Sequence, residues 1–148
     1  SDSPFVDPGP YLEAIAANVS QAFSAGTVSV SVDVGRRLLG ADVALPLGLV
    51  ANEALTNALK HARAGAGCSV ALSLAAEGDR FHLAVSDDGP GPYAGASEGL
   101  GMKIIRAFAA QLGGEATLAA RPGSDGERAG ALFELCWPIA PSDAGGEA

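Results

Sequence analysis

Residues 47–62 have the sequence LGLVANEALTNALKHA, which predicts the helix around which the chain is organised. Successive side chains turn by about 100° in an α-helix, so the residues divide into two faces. One face is apolar and consists of Leu47, Ala51, Ala54, Leu55, Ala58, Leu59 and Ala62. The other is a polar arc of roughly 140°, made of Asn52, Glu53, Thr56, Asn57 and Lys60, with His61 at its edge. The pattern predicts an amphipathic helix with one face on the core.

Two interpretations of the polar arc remain open at this point. A solvated face is the usual outcome for an amphipathic helix. However, such a face favours Glu, Lys, Gln and Arg, whereas Asn is a helix former about half a kcal/mol worse than Ala. Asn52, Glu53 and Asn57 are spaced by one and four residues, which suits short ligands with a defined geometry. We therefore favour a binding face.

Composition limits the classes of function. The chain has 148 residues, of which 48 % are hydrophobic and 18 % charged, as expected for one globular domain. A formal net charge of −8 disfavours broad electrostatic binding of nucleic acid or anionic lipid. We expect no nucleic-acid partner and no direct membrane contact. An anion such as a nucleotide would have to be bound locally, by backbone N–H groups, a lysine or a metal ion.

The cysteines and the apolar runs predict a cytoplasmic protein. Cys68 and Cys136 are the two cysteines of the chain, far apart and both in strand-like segments. They suit neither a disulfide framework nor a zinc site, and we expect small core residues in a reducing compartment. No apolar run reaches the length that spans a bilayer. The first residues, SDSPFVDPGP, lack the features of a signal peptide.

Hydrophobic periodicity and turn residues predict a two-layer α/β sandwich. The predicted architecture is about three helices on one face of a mixed, mostly antiparallel five-stranded sheet. We expect a linker at residues 1–9, a folded domain at 10–140 and a disordered tail at 141–148. Predicted helices cover residues 10–23, 47–62 and 101–112. Because proline is tolerated only near the first turn of a helix, Pro46 places the start of the regular part of the second helix close to residues 43 to 47. Predicted strands cover residues 27–33, 68–76, 80–86, 115–120 and 130–138, and residues 35–41 are a predicted loop.

The segment 87–101, DDGPGPYAGASEGLG, contains too many glycines and prolines for regular structure. It leads into the start of a predicted helix, where unpaired N–H groups and a partial positive charge suit a phosphate. Gly99 and Gly101 flank Leu100 and would let a phosphate approach the backbone. An ordinary loop is the alternative. The segment is neither a dinucleotide-binding fingerprint nor a P-loop.

Asp87 ends a predicted strand and opens the bend formed by Gly89, Pro90 and Gly91. A carboxylate in this position could accept a hydrogen bond from an exocyclic amine, while Gly91 leaves room for a flat ring. An aspartate that merely caps its own turn is an equally good interpretation when the motif is taken alone.

The three motifs together resemble a known family. NEALTNALKH, DDGPG and GLGM occur here in the order of the N box, first glycine box and second glycine box of the Bergerat-type ATP-binding fold. That superfamily includes histidine kinases, gyrase, Hsp90 and MutL. The segments VANEALTNALKHA, VSDDGPGP and GLGMKIIRAFAAQLGGEATL are most similar to sensor histidine kinases of the HWE type and their close relatives. The resemblance extends over residues 11–138.

The resemblance implies roles for the residues of the helix. Asn57 would ligate Mg²⁺, and Glu53 would polarise the attacking group or a metal-bound water, which makes it a second candidate metal contact. Asn52 would support the metal shell. Lys60 would reach the phosphates as a point charge. His61 would be a structural or phosphate-side contact and not a phosphoacceptor.

It also implies roles for the two glycine boxes. Asp87 would bind the adenine amino group of ATP, with Gly89 and Gly91 beside the ring. The backbone of the second box would wrap the phosphates, with contacts from Gly99, Leu100, Gly101 and Met102. ATP and Mg²⁺ are thus the expected cofactors.

The chain also departs from the family pattern. The span from Pro92 to Glu98 is short for an ATP lid, as in the HWE-type group, and Gly130-Ala131 replaces the usual Gly-Thr. No phosphoacceptor helix is present, and His82 lies in a predicted strand. The implied partners are a histidine-bearing dimerisation domain, in the same protein or another chain, and a response regulator. An anti-sigma-type serine kinase and a degenerate, non-catalytic interaction module are the alternatives.

Overall fold

Ten elements of regular structure are present in the computed structural model, which describes residues 4–22, 28–62, 68–89, 100–120 and 130–139. In chain order they are β1 (Phe5–Val6), α1 (Pro8–Ala22), β2 (Val28–Val34), β3 (Leu39–Gly40), α2 (Ala41–Ala62), β4 (Cys68–Glu77), β5 (Arg80–Asp87), α3 (Leu100–Gln111), β6 (Glu115–Ala120) and β7 (Ala131–Pro138). The three helices and the five longer strands agree with the sequence-based prediction.

The five longer strands form one sheet in the order β2-β4-β5-β7-β6. β2 and β4 are parallel because the chain crosses over between them through α2, and the other pairs are antiparallel. β4 and β5 form a hairpin whose turn contains Gly78 at a φ of 62°, a conformation that suits glycine. The sheet is therefore mixed and mostly antiparallel, as predicted.

The three helices cover one face of this sheet. α1 packs on β2, α2 on β4 and β5, and α3 on β6. Alternate side chains of β5 enter the core, namely Phe81, Leu83 and Val85, and they meet the apolar face of α2. This arrangement confirms the two-layer sandwich, and none of the described helices covers the other face of the sheet, which is called the open face below.

α2 begins earlier than the sequence indicated. Residues 35–41 were predicted to form a loop, which is wrong for its last residues, because β3 pairs with β1 and α2 starts at Ala41. The N–H of Ala41 donates to the Pro4 carbonyl at 2.9 Å, so a backbone group outside the helix accepts its first N–H. Pro46 then lies in the second turn, where it leaves the Asp42 carbonyl without its helical donor.

Gly48 allows close packing between α1 and α2. The hydroxyl of Tyr11 donates to the Ala44 carbonyl at 3.0 Å and lies directly on Gly48. A Cβ at residue 48 would overlap this hydroxyl. Glycine therefore lets the tyrosine ring pack against the backbone of α2 and fixes the helix that carries the polar arc.

The prediction that Cys136 is a core residue is wrong. β7 buries Phe133, Leu135 and Trp137, so the intervening Glu134 and Cys136 face the open side of the sheet. Burial is the main factor that raises the pKa of the Cys136 thiol; nearby carboxylates raise the pKa further and Arg80 lowers it.

Candidate functional site

The polar arc of α2 is accessible, and the opposite face is buried. Asn52 and Lys60 are exposed, whereas Glu53, Thr56 and Asn57 are half-buried. Every described side chain of the predicted apolar face lies in the core, namely Leu47, Ala51, Ala54, Leu55, Ala58 and Leu59. The amphipathic division predicted from the sequence is therefore confirmed. The half-buried residues are partly accessible to a ligand.

Gly101 brings the second glycine box onto this arc. A Cβ at residue 101 would stand 2.5 Å from Glu53 Oε2 and 3.8 Å from Asn57 Nδ2. Real Cβ atoms do not approach another atom as closely as 2.5 Å, so only glycine fits without a shift of the Glu53 side chain. Two motifs separated by more than forty residues in sequence thus share one surface.

The start of α3 has a favourable electrostatic setting for anions. α3 begins at Leu100, so its first backbone N–H groups lack partners within the helix and carry a partial positive charge. The Glu53 carboxylate lies at this positive end, next to Gly101. The side chain of Met102 is in the core and 9 % exposed, so a ligand would meet its backbone.

Asp87 lies at the carboxyl end of β5 and is 5 % exposed. Its Oδ1 accepts the backbone N–H of Gly89 at 2.9 Å. This is the self-capping turn that was one of the two interpretations of the motif. A carboxylate has about four acceptor positions, so the turn fixes the orientation of the group and is compatible with ligand binding.

Further hydrogen bonds hold the turn in place on both sides, and the sequence did not indicate them. Asp88 Oδ1 accepts the N–H of Ser69 at 2.8 Å, which joins the turn to β4. On the other side, the N–H of Gly130 donates to the Gly89 carbonyl at 2.9 Å. Gly130 has a φ of 78°, which favours glycine at this position. A second aspartate next to Asp87 was the one available signal, but its partner depends on strand pairing.

Some predicted site residues lie outside the described part of the chain. They are Gly91, Gly99 and the short lid at residues 92–98, and the predicted tail at 141–148 also lies outside it. His61 and Leu100 belong to α2 and α3, but their side chains are not described. The described site therefore consists of two groups: Glu53, Asn57 and Gly101 on the helices, and the turn from Asp87 to Gly89 at the sheet edge.

His82 lies away from both groups, on the open face of the sheet. Its Nε2 is 2.7 Å from Glu134 Oε2, and its Nδ1 is 4.0 Å from Glu77 Oε1. The sheet separates this histidine from the helical layer. It is therefore a paired surface residue, in agreement with its predicted location in a strand.

Comparison with known proteins identifies a family match. Residues 42–141 match the family described as histidine kinase-, DNA gyrase B-, and HSP90-like ATPase. A curated relative is Blue-light-activated histidine kinase 2 of Erythrobacter litoralis (strain HTCC2594), 32 % identical over 113 residues. These matches confirm the resemblance inferred from the three motifs.

Solved structures share the fold. The histidine kinase domain of the Erythrobacter litoralis EL346 blue-light activated histidine kinase superposes with a TM-score of 0.80 at 25 % identity, over 90 % of this chain and 62 % of that one. Full-length ShkA in complex with AMPPNP gives a TM-score of 0.74 at 23 % identity, over 95 % of this chain and 32 % of ShkA. The curated relative is also longer, because the match covers 72 % of this chain and 33 % of the relative.

Proposed function

Because the chain belongs to the histidine kinase-, DNA gyrase B-, and HSP90-like ATPase family, we propose that it binds Mg·ATP and transfers the γ-phosphate to a histidine outside this chain. In this proposal it is the ATP-binding catalytic domain of a two-component sensor histidine kinase. The named relatives are histidine kinases, which favours this function over an anti-sigma-type serine kinase.

The contact of Gly101 with Glu53 and Asn57 is the observation that carries the proposal. It joins an anion-attracting helix start to a half-buried carboxylate and amide. In our proposal the phosphates of ATP lie along the start of α3, where backbone N–H groups of residues 99–101 bind them. Lys60 is exposed about one turn beyond Asn57 and supplies a positive charge from the rim.

The residues present fit a magnesium ion. Among the described residues, no three His, Cys, Asp or Glu side chains gather into a self-sufficient metal site. Mg²⁺ does not need one, since it takes one or two protein oxygens and completes its shell with waters and phosphates. Asn57 would hold it, with Glu53 and Asn52 beside it. Bound Mg²⁺ would neutralise charge between the phosphates and the Glu53 carboxylate.

Asp87 is proposed to select adenine. Its carboxylate is buried and its orientation is fixed by the Gly89 N–H. A buried acceptor aimed at an exocyclic amine discriminates against a base with a carbonyl at that position, because the two oxygens would repel each other. Gly91, which lies outside the described residues, would border the ring.

The chemistry assigned to the chain is positioning and charge stabilisation. Glu53 would accept a hydrogen bond from one ring N–H of the attacking imidazole and so orient the other ring nitrogen toward the γ-phosphorus. As that nitrogen bonds to phosphorus, the bond from the γ-phosphorus to the β–γ bridging oxygen breaks and ADP leaves. The start of α3 and Lys60 stabilise the negative charge of the phosphates. His82 is not proposed as the acceptor, since it pairs with Glu134 on the opposite face of the sheet.

The partners follow from the proposed reaction. They are a histidine-bearing dimerisation domain, in the same protein or another chain, and a response regulator downstream. The relatives are longer than this chain, so the activity of a whole kinase is part of the proposal. No described helix has the length and apolar character of a bilayer-spanning segment. A cytoplasmic location is proposed on the basis of the ATP requirement.

A phosphorylation assay tests the function. The chain is mixed with candidate histidine-bearing domains and ATP labelled at the γ-phosphate, and the product is treated with acid and with alkali. Acid-labile, alkali-stable label on the partner is expected for phosphohistidine. Acid-stable label would indicate the serine kinase. A wild-type chain that binds no nucleotide would indicate the non-catalytic interaction module.

A further inference from the structure

We propose that Asp88 is a positioning residue for the nucleotide, because it ties the turn that carries Asp87 to the neighbouring strand. The inference rests on the proposed role of Asp87 in binding adenine. It adds a residue whose side chain need not touch the ligand and that acts through the placement of Asp87.

The contact between Asp88 and Ser69 is reciprocal. Asp88 Oδ1 accepts the Ser69 N–H at 2.8 Å, and the Asp88 N–H donates to the Ser69 carbonyl at 3.3 Å. The ladder between β4 and β5 ends at the pair of Val70 and Asp87, so Ser69 and Asp88 lie one position beyond it. The side chain of Asp88 therefore extends the strand pairing one residue past Asp87.

On its other side, a backbone hydrogen bond joins the turn to the residue before β7. The Gly89 carbonyl accepts the N–H of Gly130, which immediately precedes β7. Asp87 lies between these two attachments, and its own Oδ1 accepts the Gly89 N–H. The Asp88 carboxylate attaches the turn to β4. A substitution at residue 88 can therefore loosen one side of the turn while the Asp87 carboxylate itself is retained.

The attachments of the turn affect the free energy of nucleotide binding. A turn held on both sides presents Asp87 in its binding orientation before the nucleotide arrives, whereas a loosened turn must be ordered when the nucleotide binds. That cost reduces the affinity for a base that uses Asp87. It has little effect on a nucleotide whose base does not use this carboxylate.

The hydrogen bond from the Ser69 N–H to Asp88 Oδ1, called the clamp below, requires an acceptor oxygen at a fixed position and does not require a charge. Asp88→Asn keeps an oxygen at the position of Oδ1 and removes the charge. Asp88→Glu keeps the charge and moves the carboxylate outward by one methylene. Asp88→Ala removes the acceptor. The three variants therefore separate position from charge.

Calorimetric titration of the wild-type chain and the three variants with non-hydrolysable ATP and GTP analogues, in the presence of Mg²⁺, tests the inference. Loss of one hydrogen bond's net contribution should weaken ATP binding about fivefold in Asp88→Ala and Asp88→Glu. Asp88→Asn should bind within about twofold of wild type. GTP binding should change little in all three variants. The ratio of ATP to GTP affinity should therefore fall in Asp88→Ala and Asp88→Glu and be retained in Asp88→Asn.

Hydrogen exchange provides a second readout that does not depend on nucleotide. The Ser69 amide should exchange faster in Asp88→Ala and Asp88→Glu than in the wild type and in Asp88→Asn. An unchanged ATP-to-GTP ratio in Asp88→Ala, or an Asp88→Asn variant as weak as Asp88→Ala, would overturn the positioning role. If the wild-type chain itself bound no ATP analogue, the proposed function would fail instead, whatever the exchange rates show.

Discussion

The Glu53 carboxylate lies against the backbone of Gly101, so closely that a Cβ there would stand 2.5 Å from Oε2. This contact joins the middle of α2 to the first turn of α3. An alanine at residue 101 would require the end of the Glu53 side chain to shift. A phosphate bound at this helix start would lie beside Glu53 and Asn57.

We predict that the effect of Gly101→Ala on the free energy of unfolding depends on the residue at position 53. In a Glu53→Ala background the new methyl group has room, so the free energy of unfolding should rise through helix propensity, by at most about 1 kcal/mol, the value for a helix interior. In the wild-type background the Glu53 side chain must move, and most of that gain should be lost. Chemical denaturation of the four proteins measures the coupling. Effects that add within about 0.5 kcal/mol would contradict the contact.

We predict that Asp87→Asn reduces adenine selectivity. Asparagine keeps an acceptor for the Gly89 N–H but loses the charge and presents an amide donor that can face the amine of the base. Loss of a charge-assisted hydrogen bond should weaken ATP binding by about tenfold to a hundredfold, with little effect on GTP. Competition titrations measure the ratio of the two affinities. Equal weakening of ATP and GTP would argue against a base contact.

We predict that Gly48→Ala destabilises the packing of α1 on α2. The added methyl group would overlap the Tyr11 hydroxyl and should lower the free energy of unfolding by about 1–3 kcal/mol. Tyr11→Phe removes only the hydrogen bond to the Ala44 carbonyl and should cost about 1 kcal/mol. In a Tyr11→Ala background, Gly48→Ala should no longer be destabilising. A persistent loss there would show that the tyrosine is not the obstacle.

We predict that Cys136 reacts slowly with alkylating reagents near neutral pH. Burial raises the pKa of its thiol, so less of the reactive thiolate is present at a given pH than in a free cysteine. The alkylation rate of a Cys68→Ser variant should be lower than that of glutathione at pH 7.5 and should rise with pH. The double variant lacking both cysteines gives the background. A rate equal to or above that of glutathione would contradict the raised pKa.

Local periodicity was sufficient to predict the main elements. The apolar face of α2 and the alternation in β5 indicated both their structure and their buried residues. The β1 and β3 strands were missed because two residues are too few to show alternation, and their pairing joins distant parts of the chain. In β7, alternate side chains point to opposite faces of the sheet. Cys136 lies on the open face because Trp137 and Leu135, on either side of it, are buried in the core.

The candidate site could be predicted to a similar extent, and its residue roles stay predictions. The motifs identified Glu53, Asn57, Gly101 and Asp87 as residue types with a shared chemistry. The contact between Gly101 and Glu53 could not be read from the sequence, since it depends on how α2 and α3 pack. The clamp between Asp88 and Ser69 was also hidden, because it depends on the register of β4 with β5.

The most direct test of the central claim is a calorimetric titration of the chain with a non-hydrolysable ATP analogue, with Mg²⁺ and with EDTA. We expect micromolar-to-millimolar binding that requires Mg²⁺. In Asn57→Ala the gain from Mg²⁺ should fall by about tenfold, whereas Asn18→Ala, the same change at an exposed position of α1, should retain it. No binding at millimolar nucleotide with Mg²⁺ would contradict the account, and an unchanged Mg²⁺ dependence in Asn57→Ala would contradict the assigned metal ligand.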